Sequence, residues 1–260
     1  MTQNPFSAQP KIEDLMARFL NQQAEDRAAG VPELPVGEIE AYEAAFAPAV
    51  EPRTALDEAV MALKLFAPDG GLAHVAMPPD WATLVTTESA HFAIPLAAGG
   101  FPQLLRDLPA LIRAEKKADL LDKGSPVNVS GLVRWANDAA DGVRLPQALV
   151  AAGALRLARQ YDAAENVLNR LRPNIPEKWR LAMTNEDAAL AWARGNVAGA
   201  DAIWAAMPKS AVTCFNRGMA ALFSDRITEA KIFLKDAAAL LPEDSSWQHL
   251  ANLYFALAGA

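Results

Sequence analysis

Residues 211–242, AVTCFNRGMAALFSDRITEAKIFLKDAAALLP, contain the pattern that decides the fold. A first apolar stretch with Gly218 ends at a polar turn, and a second stretch places Ala230 and Leu234 on one helical face. Pro242 follows the second stretch, where it prevents the helix from continuing. This order predicts a helix, a tight turn and a second helix.

The pattern of the second helix occurs three times toward the end of the chain. An alanine is followed four positions later by a large apolar residue, and the successive alanines are 36 and 30 residues apart. Such repeats indicate stacked helical hairpins, because one hairpin cannot bury its apolar face alone. In the first unit, Ala164 and Leu168 lie between a turn at 159–162 and Pro173. In the second unit, Ala200 and Trp204 lie between a turn at 194–196 and Pro208. In the third unit, Ala230 and Leu234 lie between a turn at 224–226 and Pro242.

These units resemble the tetratricopeptide (TPR) repeat, a helix–turn–helix of about 34 residues with the pattern W-x2-L-G-x2-Y, then A-x3-F, then P. After the third unit, residues 247–254, WQHLANLY, match the first half of that pattern. The resemblance is clear over 145–260 and degenerate over about 85–145. It implies an all-α fold, a right-handed α-solenoid of stacked TPR-like helix–turn–helix units with an N-terminal helical segment.

Three regions follow from this pattern. Residues 1–80 are expected to be a proline-punctuated N-terminal helical region, residues 81–144 a degenerate TPR-like helical region, and residues 145–260 the TPR-like repeats. Within the first region, apolar residues at helical spacing predict an amphipathic helix over Lys11–Ala29 and another that starts near Thr54.

No segment alternates apolar and polar residues as a half-buried strand does. The best strand candidate, His91–Leu96, contains Pro95, which disfavours that structure. We expect this stretch to belong to a degenerate helical unit over about 88–116, with Gly99 and Gly100 at its turn.

The composition excludes several function classes. Lys and Arg total 24 against 31 Asp and Glu, so the formal net charge is −7. An acidic chain is a poor candidate for sequence-independent nucleic-acid binding, which requires cations against the phosphates. One Cys and three His exclude a disulfide framework and leave little material for a metal site.

The apolar fraction is 52% although aromatics are only 7%, and alanine supplies much of the difference. Alanine favours helices, and its small side chain lets two helices approach closely. We expect the alanines at helix crossings to be Ala152, Ala164, Ala188, Ala200, Ala230, Ala237 and Ala251.

Targeting and membrane signals are absent from the sequence. The first residues lack the basic and apolar regions of a secretory signal. The longest apolar stretch, Ala148–Leu155, is far shorter than the roughly 20 residues of a membrane helix. We therefore expect a cytoplasmic protein that does not insert into membranes.

Catalytic and cofactor motifs are also missing. Cys214 falls at a helix position that normally packs, so we expect a buried, unreactive thiol. The three histidines lack metal-ligand spacing, and only His249 falls on the expected groove. Neighbouring acids such as Glu186 and Asp187 point to different sides of a helix. The sequence predicts no enzyme, no metal site and no cofactor.

The resemblance implies a concave groove, because the first helix of each TPR unit lines such a face. For Trp192, Phe215 and Met219, the alternative is that they are core between helices. Asn216 occupies a slot that supplies an asparagine to a clamp for acidic peptides in some TPR proteins, but the next unit lacks the necessary cations. The predicted partner-binding residues are Leu149, Arg156, Asn185, Trp192, Phe215, Met219, Gln248, His249 and Asn252.

The sequence thus predicts a non-catalytic scaffold or adaptor that binds a peptide or a helix of a protein partner on its concave face. The alternative is a regulatory or substrate-handling subunit of an enzyme complex that docks through its N-terminal helices. The identity of the partner and the oligomeric state stay open.

Overall fold

The computed structural model describes residues 52–72, 75–81, 83–84, 94–100, 127–243 and 245–259. The helix predicted over Lys11–Ala29 lies outside these residues, as does most of the degenerate unit predicted over about 88–116. Of that unit, only the segment that contains Gly99 and Gly100 is described.

The described residues form ten α-helices and one short 3-10 turn, with no strand among them, so the all-α prediction is confirmed for this part of the chain. Within the same residues, no helix has an apolar run long enough to cross a membrane. The helices are α1 (Pro52–Ala59), α2 (Met61–Phe66), α3 (Val129–Asp141), α4 (Gln147–Leu157), α5 (Tyr161–Leu171), α6 (Glu177–Ala193), α7 (Val197–Ala206), α8 (Ala211–Leu222), α9 (Ile227–Leu240) and α10 (Ser246–Gly259).

The three turns predicted by the repeat separate α4 from α5, α6 from α7, and α8 from α9. Each contains one residue with a positive φ, namely Arg159 at 59°, Gly195 at 86° and Asp225 at 59°. The next N–H in each turn donates to the carbonyl five residues earlier, at 2.8–2.9 Å. This is the Schellman helix ending. A fourth turn, at Val143 after α3, has the same bond.

Side-chain caps fix the starts of several helices. Asn128 and Asn196 accept hydrogen bonds from N–H groups three residues on, before α3 and α7. Before α8, Ser210 and Thr213 form a reciprocal capping box. These bonds satisfy N–H groups that no carbonyl inside the helix can reach.

Each helix from α3 onward packs against the helix that follows it, and α4 also contacts α6. Gly218 of α8 lies where α9 crosses, and a Cβ there would meet Leu234 Cγ at 2.7 Å. All seven alanines expected at helix crossings are buried. The small residues therefore set the close approach of the helices.

Helices α1 and α2 pack into the same core as the repeats. Leu56, Val60 and Leu63 share an apolar cluster with residues of α3 to α6. The indole N–H of Trp247 in α10 donates to the Glu58 carbonyl at 3.3 Å. Residues 52–66 are thus part of the helical array.

We expect Gly218→Val to lower the free energy of unfolding by about 1–3 kcal/mol, because the new methyl groups overpack the crossing at Leu234. The matched control is Gly259→Val in α10, where a Cβ has nothing within 4 Å. Urea unfolding followed by circular dichroism measures both. Equal midpoints for the two variants would contradict this packing.

Candidate functional site

The segment IPLAAGG, residues 94–100, is buried without being helix or strand. Leu96 and Ala98 are both 0% exposed. Segment 94–100 lies against α4, α6 and α8, the first helices of the three repeat units. Because it lacks regular structure, its backbone polar groups need partners from elsewhere.

Two asparagines bond the backbone of Leu96. The Leu96 N–H donates to Asn216 Oδ1 at 2.7 Å. The Leu96 carbonyl accepts from Asn185 Nδ2 at 3.0 Å and from Asn216 Nδ2 at 3.1 Å. Both asparagines are fully buried. Together they satisfy both polar groups of one backbone residue.

A further bond network fixes the orientation of these two amides. Asn185 Oδ1 accepts from the indole N–H of Trp204 at 2.9 Å and from Asn216 Nδ2 at 3.0 Å. Trp204 is on α7, so the second helix of one unit orients an amide on the first helix. The asparagines are therefore held in place by the array.

A charged pair bonds the backbone of Ala98. Its N–H donates to Glu186 Oε1, and its carbonyl accepts from Arg156 Nη2 at 3.2 Å. Arg156 is 4% and Glu186 2% exposed, and Arg156 Nη2 lies 3.8 Å from Glu186 Oε2. On the other side, the Gly99 N–H donates to the Ala59 carbonyl of α1 at 2.6 Å.

Two glycines allow the backbone of the segment to touch the backbone of α4. A Cβ at Gly153 would overlap the Ala98 carbonyl. A Cβ at Gly99 would lie 2.9 Å from the Gly153 carbonyl carbon, and Gly99 has φ +87°. Neither position accepts a side chain without moving the segment.

Burial raises the pKa of Glu186 to about 7, although the Arg156 guanidinium and the Ala98 N–H both favour its carboxylate. Burial also raises the pKa of the Cys214 thiol, which disfavours the thiolate. The Glu186 carboxyl, which accepts the hydrogen bond from the Ala98 N–H, therefore titrates near pH 7.

The structure buries six of the nine predicted partner-binding residues. Leu149, Trp192, Phe215 and Met219 belong to the core, which is the alternative that the sequence left open for the last three. Arg156 and Asn185 contact segment 94–100. On α10, Gln248 is half-buried and bonded to the Ala238 carbonyl, whereas His249 and Asn252 are exposed.

Sequence reasoning missed Gly153, Glu186 and Asn216 as members of one site. The available signal was a polar residue inside the apolar face of each first helix. Glu186 and Asp187 do point to different sides, since Glu186 faces the segment and Asp187 pairs with Arg172 at 3.0 Å. Segment 94–100 is distant from all three missed residues in the chain, since even the nearest contact, between Gly99 and Gly153, joins residues 54 positions apart, and no local pattern links them.

Metal-ligand clusters are not found in the part of the chain that the structure describes, where no three His, Cys, Asp or Glu side chains could hold an ion. The chain matches no protein-family model, no curated protein and no solved structure. Its site is therefore interpreted from geometry alone.

We expect Asn216→Ala to lower the free energy of unfolding by about 2–4 kcal/mol, because it leaves the Leu96 N–H buried and unbonded and weakens the bonds of its carbonyl. The control Asn252→Ala, at an exposed position of α10, should change stability by about 0.5 kcal/mol or less. Chemical denaturation measures both, and similar losses would refute the role of Asn216.

The raised pKa of Glu186 predicts that stability falls as pH rises. The folded state keeps the proton up to about pH 7, whereas the unfolded chain releases it near 4.5. Between these values the folded state binds more protons, so the free energy of unfolding decreases with pH, by about 3 kcal/mol in all. Glu186→Gln should remove this dependence when unfolding is measured from pH 4 to 8.

The control is Glu165→Gln, because Arg194 lowers the pKa of the exposed Glu165 carboxyl. That carboxyl stabilises the fold above its unfolded pKa, and the contribution is lost as pH falls. As pH rises, the free energy of unfolding should therefore fall less steeply in Glu186→Gln than in the wild type, and more steeply in Glu165→Gln. A Glu186→Gln profile parallel to the wild type would contradict the shift.

Proposed function

We propose that this chain is a non-catalytic adaptor of the cytoplasm, whose TPR-like hairpins stack into a right-handed α-solenoid and whose first helices bind a segment of a protein partner. The proposal rests on one observation. Side chains from three successive first helices bond the N–H and the carbonyl of both Leu96 and Ala98 in a non-helical segment. Hydrogen bonds to the main chain supply affinity in the recognition of extended peptides.

The repeated helix ends support the solenoid. The same Schellman bond follows α3, α4, α6 and α8, so the chain leaves each of these helices with the same geometry. Contacts between α4 and α6, and between successive helices, supply the stacking that a solenoid needs.

The burial of the polar side chains supports peptide binding. Arg156, Asn185, Glu186 and Asn216 would be costly on an apolar helix face without bonding partners. Each of the four bonds a backbone group of segment 94–100, and any peptide without proline at these points can offer the same groups. The face is therefore suited to a polypeptide more than to a small apolar molecule.

The packing of α1 and α2 favours this function over docking of an enzyme partner through the buried faces of these two helices. Ala62 and Leu63 are buried in the array, and Trp247 bonds the Glu58 carbonyl. The apolar side chains of these helices are thus already buried within the fold.

The test is photo-crosslinking of the full chain in its native cell. A photoreactive amino acid replaces His249 or Asn252, two of the exposed positions on the next first helix, α10. The control position is Leu240 on the second helix α9, whose side chain is also exposed. We expect one partner polypeptide to crosslink at 249 and 252 at least fivefold more than at 240.

All three substitutions are at exposed positions, so the fold should be retained, which circular dichroism checks. Absence of a crosslinked polypeptide at 249 and 252, or an equal yield at 240, would overturn the proposed function.

A further inference from the structure

We propose that segment 94–100 is a displaceable ligand held in cis, and that the partner segment which replaces it has the pattern large aliphatic, small, small, glycine. This inference rests on the proposed function, because it takes the face of α4, α6 and α8 as the binding site. It adds the chemistry of the ligand and a competitor within the chain.

The bonds to Leu96 and Ala98 resemble those of a bound peptide. Four backbone groups, the N–H and carbonyl of each residue, are bonded by side chains of the first helices. None of these four bonds depends on which side chain the segment carries. Another segment can therefore make the same four bonds, provided that it has no proline at the positions of Leu96 and Ala98.

The side-chain positions define the ligand class. Leu96 is enclosed in a cluster with Trp192, Trp204 and Phe215, which selects a large aliphatic residue. Ala97 and Ala98 are buried, which selects small residues at the next two positions. At the fourth position Gly99 has φ +87° and touches Gly153, which selects glycine.

One polar atom of the site has no partner on the segment that the site holds. Arg156 is buried, yet its Nε has no hydrogen-bond partner. A buried donor without an acceptor destabilises the complex with segment 94–100. A partner segment that supplies an acceptor to this nitrogen gains an advantage, which helps it to compete with a ligand on the same chain.

Attachment in cis sets the strength of the competition. A segment on the same chain acts at an effective concentration in the millimolar range. A free peptide should therefore bind the wild type at least tenfold more weakly than a chain whose own segment cannot occupy the site. This ratio distinguishes a displaceable ligand from a permanent part of the core.

The first experiment uses the unmodified full chain, labelled with ¹⁵N, and the synthetic peptide FAIPLAAGGFP, which copies residues 92–102. Hydrogen exchange is followed at Leu96 and Ala98 and, for comparison, in α8. We expect saturating peptide to raise exchange at 96 and 98 at least tenfold without changing α8. A peptide with aspartate in place of its leucine should have no effect.

If the Leu96 and Ala98 N–H groups exchange only as fast as those of α8, with or without peptide, segment 94–100 is permanent core and the inference is wrong. This outcome is accessible without any variant, so it does not depend on whether a variant folds.

The second experiment opens the site by Leu96→Asp in the full chain. Fluorescence anisotropy with labelled FAIPLAAGGFP should give a Kd at least tenfold lower than for the wild type. Adding Gly153→Val, which fills the space taken by the Ala98 carbonyl, should abolish binding, whereas adding Gly259→Val should not. A folded Leu96→Asp chain that does not bind the peptide would overturn the inference.

The two proposals fail separately. If the peptide does not bind but crosslinks form at 249 and 252, the adaptor function stands and the cis ligand falls. If the peptide binds and displaces segment 94–100 but no partner crosslinks, the segment is a displaceable ligand, and both the adaptor function and the partner segment are wrong.

Discussion

The need to bond the backbone of a buried, non-helical segment governs the structure around α4, α6 and α8. Asn185 and Asn216 meet this need at Leu96, and each also bonds the other. Loss of Asn216 would leave the Leu96 N–H buried without a partner, and loss of Asn185 would take the acceptor from the Trp204 indole N–H. Either loss would cost a sizeable part of a domain's stability. The alanine-rich packing of the helices provides the rigid frame that holds the two amides in position.

The same requirement explains why charge enters the core. Arg156 and Glu186 are buried, and a buried ion pair is a weak source of stability by itself. Here Glu186 accepts from the N–H of Ala98 and Arg156 donates to its carbonyl, so the pair satisfies both polar groups of one backbone residue. The unpaired backbone of segment 94–100 gives a reason for a pair that stability alone would not favour.

Helices, turns and small residues at crossings could be predicted from the sequence because each depends on neighbours in the chain. The turn before Tyr161 and the slot of Gly218 are examples, and both lie where the repeat places them. The site could not be predicted in this way. Asn216 and Leu96 are 120 residues apart, and Trp192 has the same helical spacing whether it faces a groove or the core. Only packing decides between these possibilities.

The Schellman turns have a consequence for thermal tolerance and protein engineering. At three of them the left-handed position is held by Val143, Arg159 or Asp225, residues for which that backbone conformation costs about 1 kcal/mol relative to glycine. The chain therefore works below the highest melting temperature that its architecture allows. Glycine at any of these positions would raise that temperature, and the stability gained would offset destabilising substitutions made elsewhere in the helices.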